Sequence, residues 1–232
     1  MKKKIMASLL VGSAVVGASL APLSAQAVTT GNTPVSVGVE GGVLPDQGDN
    51  TGGSVDQEPT KQNKNFDLLA IPRSFNFPLT KINDDLSAIK ENSTTYRALM
   101  VGDVRGTKEG WHVTGEIAEM KNGADKLDGQ FNFGMTPYYA LFYAGTGLYL
   151  GMSNQNGMSI ADDPTAPSFV GTNMTIGGGA TTLINATVGK GQGTWSGRID
   201  NMTLNVTTPY QQLKKGAYTG NITWNLVAGP SI

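Results

Sequence analysis

The chain has 232 residues, 39% of them hydrophobic, with 17 Lys and Arg against 18 Asp and Glu and no cysteine. Such a slightly acidic balance excludes binding to nucleic acid or an anionic surface by bulk attraction. The missing cysteine excludes a small disulfide-stapled scaffold, so stability has to come from a hydrophobic core.

The N-terminus reads as a secretory signal peptide over residues 1–27. "MKKK" is a basic start, Ile5 to Leu20 is apolar, and the small residues of "AQA" at Ala25–Ala27 form a cleavage site before Val28. Removing Lys2, Lys3 and Lys4 leaves 17 − 3 = 14 basic residues against 18 acidic ones, a balance of −4. No later segment is apolar enough to span a membrane, so no membrane insertion is expected after cleavage. Residues 28–64 are mostly Gly, Thr, Asn, Asp, Gln and Pro and read as a flexible spacer. Within it "LPDQG" (Leu44–Gly48) has the outline of a sorting signal but lacks the apolar segment and basic tail that would follow one.

From Asn65 onward the pattern is β. "RSFNFPL" aligns Phe75, Phe77 and Leu79, and "GWHVTGEIAE" puts Trp111, Val113, Gly115 and Ile117 on one face. A period of two also aligns Phe131, Phe133 and Met135, then Met202, Leu204 and Val206. In "AYTGNITWNLVAGPSI" it aligns Tyr218, Gly220, Ile222, Trp224 and Leu226. Further strands are predicted over 96–104, 139–150, 181–188 and 193–199. Helical signals are confined to turns after Asn83 and over 210–214. Many short strands between turn clusters indicate a sandwich or a barrel. The fold expected is an all-β antiparallel sandwich with Greek-key-like connections and at most short helical turns.

Chemistry is hard to place. His112 is the only histidine and sits on the polar face of its strand, without partners at metal-ligand spacing. The pairs Asp84-Asp85 and Asp162-Asp163 flank turns, where carboxylates usually act as solvated turn formers. "GKGQGTW" is glycine-rich but precedes a strand, not the helix a phosphate cradle needs. No catalytic residues, metal or cofactor are assigned, and no enzyme is expected. Six Asn-x-Ser/Thr sequons arise from polar-apolar alternation, and no glycosylation is predicted.

Three blocks together carry a resemblance. "VGDVRGTKEGWHVTG" (Val101–Gly115), "GQGTWSG" (Gly191–Gly197) and "LKKGAYTGNITWNLVAGP" (Leu213–Pro230) contain all three tryptophans. In this order they resemble the WxL-domain cell-surface proteins of Gram-positive bacteria, over residues 65–232. The first block departs from the family's pattern in reading Trp-His-Val, and the last in ending "AGP". The resemblance implies an exported protein held non-covalently on the wall through peptidoglycan. It also implies companion WxL proteins and membrane-anchored WxL-interacting proteins as partners. An assembly subunit that binds those partners, and not glycan directly, is the alternative it leaves open.

The candidate glycan- or partner-binding residues are Trp111, Val113, Trp195, Trp224, Leu226, Asp103 and Arg105. Trp111 with Val113, and Trp224 with Leu226, continue apolar faces and are expected to be mainly core. Trp195, flanked by Ser196, Gly197 and Arg198, is the ring expected to stay partly exposed and stack on a sugar. Asp103 and Arg105 are expected to brace the turn before Trp111.

Overall fold

The computed structural model describes residues 33–48, 54–55, 62–92 and 97–231; the expected signal peptide lies outside them. Residues 33–38 are exposed and form no strand or helix, and Val39–Ile232 forms one compact unit. Its long strands are β1 (Phe66–Pro72), β2 (Arg97–Asp103), β3 (Trp111–Asn122), β4 (Gly129–Tyr143), β5 (Leu148–Met152), β6 (Thr181–Ala186), β7 (Gly193–Val206) and β8 (Thr219–Ala228).

The strands build two antiparallel sheets. The larger runs β1–β2–β7–β4, with β5 and the short strand Asn173–Thr175 both on the far side of β4. The smaller runs β6–β3–β8, with Ser168–Phe169 outside β6. Chain order alternates between sheets: β7 inserts between β2 and β4, and β8 returns beside β3. This is the expected all-β sandwich. Its core joins Leu99, Val101, Trp111, Val113, Phe131, Phe133, Leu183, Ile184, Trp195, Ile199 and Trp224. Most alternate along their strands and so project from one face, while the consecutive Leu183 and Ile184 both reach the core at a register shift against β3.

Register shifts change which alternate residues face inward, most visibly in β7 and β3. In β7 the register against β4 slips between Asp200 and Thr203, and Asn201 takes φ 51°. The extra residue moves the inward set from Trp195, Gly197 and Ile199 to Met202, Leu204 and Val206. Two expected strands are therefore one. In β3 a slip opposite Gly220/Ile222 brings Met120 to the core after Ile117.

Other expectations change for local reasons. Residues 139–150 form the end of β4, a turn and most of β5, because the Thr146 and Gly147 amides close a hairpin onto the Tyr143 carbonyl. Residues 73–80 form no strand: Phe75 and Phe77 pack on Phe131 from a coil, while Leu79 beyond Pro78 is fully exposed. No helix follows Asn83; Ile89–Lys90 instead pairs with β7, and the 210–214 turn is a 3-10 turn over Tyr210–Gln212.

Part of the expected spacer is docked. Val35, Val37, Val39 and Val43 are exposed, yet Leu44 and Gln47 are buried. Leu44 lies over Gly102 of β2, where a Cβ would stand 2.6 Å from its side chain. It joins Leu69, Ala70, Ala98, Met100, Ala140 and Tyr149 in a second cluster on the outer face of the larger sheet. The Gly42 amide donates to the Val104 carbonyl, and the Gly48 amide to the Gly147 carbonyl, both at 2.8 Å. The Tyr149 hydroxyl donates to the Pro45 carbonyl at 2.9 Å, and the Tyr149 amide to Gln47 Oε1 at 3.3 Å. These contacts make residues 42–48 a strap.

Candidate functional site

The three tryptophans lie inside the sandwich. Trp111 opens β3 between Ala186 of β6 and Ala228 of β8, whose small side chains leave room for the indole. Trp111 is 0% exposed, Trp195 2% and Trp224 6%. Val113 is buried and Leu226 is half-buried against the same core. Trp111, Val113, Trp224 and Leu226 thus take the core positions their alternation implies.

Trp195 overturns its expectation, because a buried ring cannot stack on a sugar. The reason lies in β7, which is paired on both sides by β2 and β4. The residues sharing Trp195's face are Gly197 and Ile199. Gly197 adds no apolar surface but makes room: a Cβ there would stand 2.8 Å from Met135 and 3.1 Å from Phe169. An apolar stripe is present, with a glycine concealing its middle.

A single carbonyl ties two of these rings together. The Trp111 and Trp195 Nε1 groups both donate to the Gly191 oxygen, each at 2.9 Å. Satisfying both indole donors removes the penalty of burying them. Gly191 sits at φ 79°, and its own amide donates to the Thr165 carbonyl at 2.8 Å. The glycine-rich "GKGQGTW" stretch thus turns one carbonyl toward two indoles.

Asp103 and Arg105 form a bidentate pair: Nε to Oδ1 and Nη2 to Oδ2, both 2.9 Å. The guanidinium also pairs with Glu109, approaches the Gly110 carbonyl and lies 3.6 Å from the centre of the Phe66 ring. Its hydrogen bonds to Asp103 hold its pKa above the usual arginine value. The pair is mostly buried and fastens the connection that delivers Trp111 into β3. His112 holds the chain end, with Nδ1 2.9 Å from the Gly229 carbonyl. Among the described residues no cluster of three or more His, Asp or Glu is placed to hold a metal.

Sequence reasoning missed a further support. Tyr139, whose ring packs at 5.4 Å from Trp195, donates its hydroxyl to Asp163 Oδ2 at 2.9 Å. Burial, then this hydrogen bond, pushes the phenol up to about 12 from 10.0. Burial pushes the Asp163 carboxyl up, but hydrogen bonds from Thr165 and Tyr139 outweigh it and hold the group low. Burial, then the charge of Asp46, raises Tyr149 as well. Both phenols have folded pKa values above their unfolded ones. Their stabilisation is therefore complete below pH about 10 and is lost as pH rises through the folded values. The urea midpoint should stay level from pH 7 to 9 and fall between pH about 10 and 12, less steeply in Tyr139→Phe. A level midpoint up to pH 12 would contradict these phenol environments.

Comparison with known families gives one result: a family model described as WxL domain, surface cell wall-binding, matches residues 26–230. No curated protein and no solved structure matches the chain.

Proposed function

This chain belongs to the WxL family of surface cell wall-binding domains, and from that premise we propose that it is exported by its N-terminal signal peptide and held non-covalently on a Gram-positive wall by direct contact with peptidoglycan. The observation that carries this reading is the extent of the match. It takes in every long strand of the sandwich, which supports wall binding by the sandwich itself. The family is one of binding domains, and the arrangement around the tryptophans is a packed core in which the Trp111 and Trp195 donors are satisfied.

Since the tryptophans are buried, their part in wall binding is to hold the surface that makes the contact. With 17 basic and 18 acidic residues, that contact has to be local. The test is co-sedimentation of the mature protein with insoluble peptidoglycan stripped of teichoic acid and protein. Saturable sedimentation is expected. A cooperatively folded protein that stays in the supernatant would overturn the reading. It would favour assembly with companion WxL and membrane-anchored WxL-interacting proteins.

A further inference from the structure

Between Asp128 and Asp162 the sequence contains no Asp, Glu, Lys, Arg or His, although the chain carries 17 basic and 18 acidic residues. The fold gathers this run at one margin of the larger sheet. It forms β4, β5 and a hairpin of Asn154–Gln155 with Met158–Ser159, turned by Asn156 and Gly157 at φ 51° and 81°. Two successive positive φ values make this the tight turn that Asn-Gly favours. The Ile160 amide closes the hairpin onto the Ser153 carbonyl at 2.9 Å, one residue past the end of β5.

Here the inward face of the larger sheet extends beyond its cover. Tyr139 and Leu141 of β4 pack on the core, but their partners across the ladder, Met152 and Leu150, are 36% and 39% exposed. Tyr143, 41% exposed, reaches from beside Leu148 past Leu150 to Met152, its hydroxyl 3.8 Å from the Met152 sulfur. Met158 is 46% exposed, and Asn154 presents its amide in the same hairpin. The result is an aromatic ring beside aliphatic side chains, bordered by amides, in a run that carries no charge of its own; the carboxylates nearest it, Asp163 at Tyr139 and Asp46 near Tyr149, are negative.

We propose that this margin is the glycan-contacting face, taking an uncharged stretch of N-acetylated sugar chain; the inference rests on the wall-binding reading above. The Tyr143 ring offers a face for the C–H side of a pyranose, Leu150 and Met152 offer apolar contact for an acetamide methyl, and Asn154 and Gln155 offer partners for hydroxyl and amide groups. An anionic stem peptide or a phosphate polymer finds no Lys, Arg or His in this run to offset its charge and would lose its hydration without return. Strand addition by a protein is blocked where β5 begins. The strap already occupies that edge, with the Gly48 amide on the Gly147 carbonyl and Gln47 on the Tyr149 amide.

The test compares the mature protein with Tyr143→Ala and Tyr143→Phe by co-sedimentation with teichoic-acid-free peptidoglycan. Soluble N-acetylglucosamine oligomers serve as competitor. Tyr143→Ala should weaken binding about tenfold, the weight of one aromatic contact, while Tyr143→Phe stays near the parent. Urea midpoints should match, since the side chain lies outside the core. Binding should vary little from about 0.05 to 0.5 M NaCl and fall when oligomer is added. Undiminished binding by Tyr143→Ala, or a steep loss with salt, overturns this site while leaving wall binding intact. Failure of the parent to sediment overturns the wall-binding reading and the site with it.

Discussion

Trp111→Ala is expected to lose about 3–5 kcal/mol of unfolding free energy, the usual cost of emptying a fully buried indole site. The side chain is 0% exposed and stands where β6, β3 and β8 meet, so no neighbouring side chain is free to collapse into the space. Trp111→Phe restores most of the volume but not the hydrogen bond to Gly191 and should cost about 1–2 kcal/mol. Urea denaturation followed by circular dichroism measures both. A loss below about 1 kcal/mol for the alanine variant would mean that the indole is not packed as described. Wall binding by this variant, measured well below its midpoint, should match the parent. A folded variant that no longer sediments would show that the ring contacts the wall itself.

Gly191→Ala is expected to be nearly as damaging, although it adds only a methyl group. At φ 79° an alanine costs about 1–2 kcal/mol in backbone conformation alone. Its Cβ would also stand 2.4 Å from the Ala186 side chain and 2.6 Å from Trp111 Nε1. Relieving those contacts moves the carbonyl that both indoles share, and overpacking of this kind adds about 1–3 kcal/mol. Gly189→Ala separates the two causes, because Gly189 has φ 86° but no atom within 4 Å of the added Cβ. It should lose about 1–2 kcal/mol only. Equal losses at the two positions would remove the case for a shared carbonyl acceptor.

Much of this fold could be read from alternation. Trp111, Val113 and Ile117 point inward as their spacing requires, as do Phe131 with Phe133 and Trp224 with Leu226. What alternation could not reveal depends on partners distant in sequence. The inward stripe of β7 was hidden because Gly197 contributes space, and the side chains that fill it come from Met135 and Phe169. The joining of two predicted strands rested on one left-handed residue, Asn201. At Gly191 a glycine-rich run gave warning of close approach, but nothing local said that two indoles approach it. The uncharged margin was present in the composition of residues 129–161. Its meaning depends on which of its side chains the smaller sheet leaves uncovered.

The strap also determines where the protein can be shortened. A truncated form beginning at Asn65, where the strand pattern starts, would lack Leu44 and Gln47. It would leave the floor formed by Gly102, Met100 and Tyr149 open to water. The compact unit accordingly begins at Val39, well ahead of the first long strand at Phe66, and a shortened form should keep that start. For display on a cell surface, a fused cargo or affinity tag belongs ahead of that point. Placed between the strap and β1, it would interrupt a stretch in which Ser54–Val55 pairs with β1, the Asn63 amide donates to Asp46 and the Asn63 side chain donates to the Pro45 carbonyl.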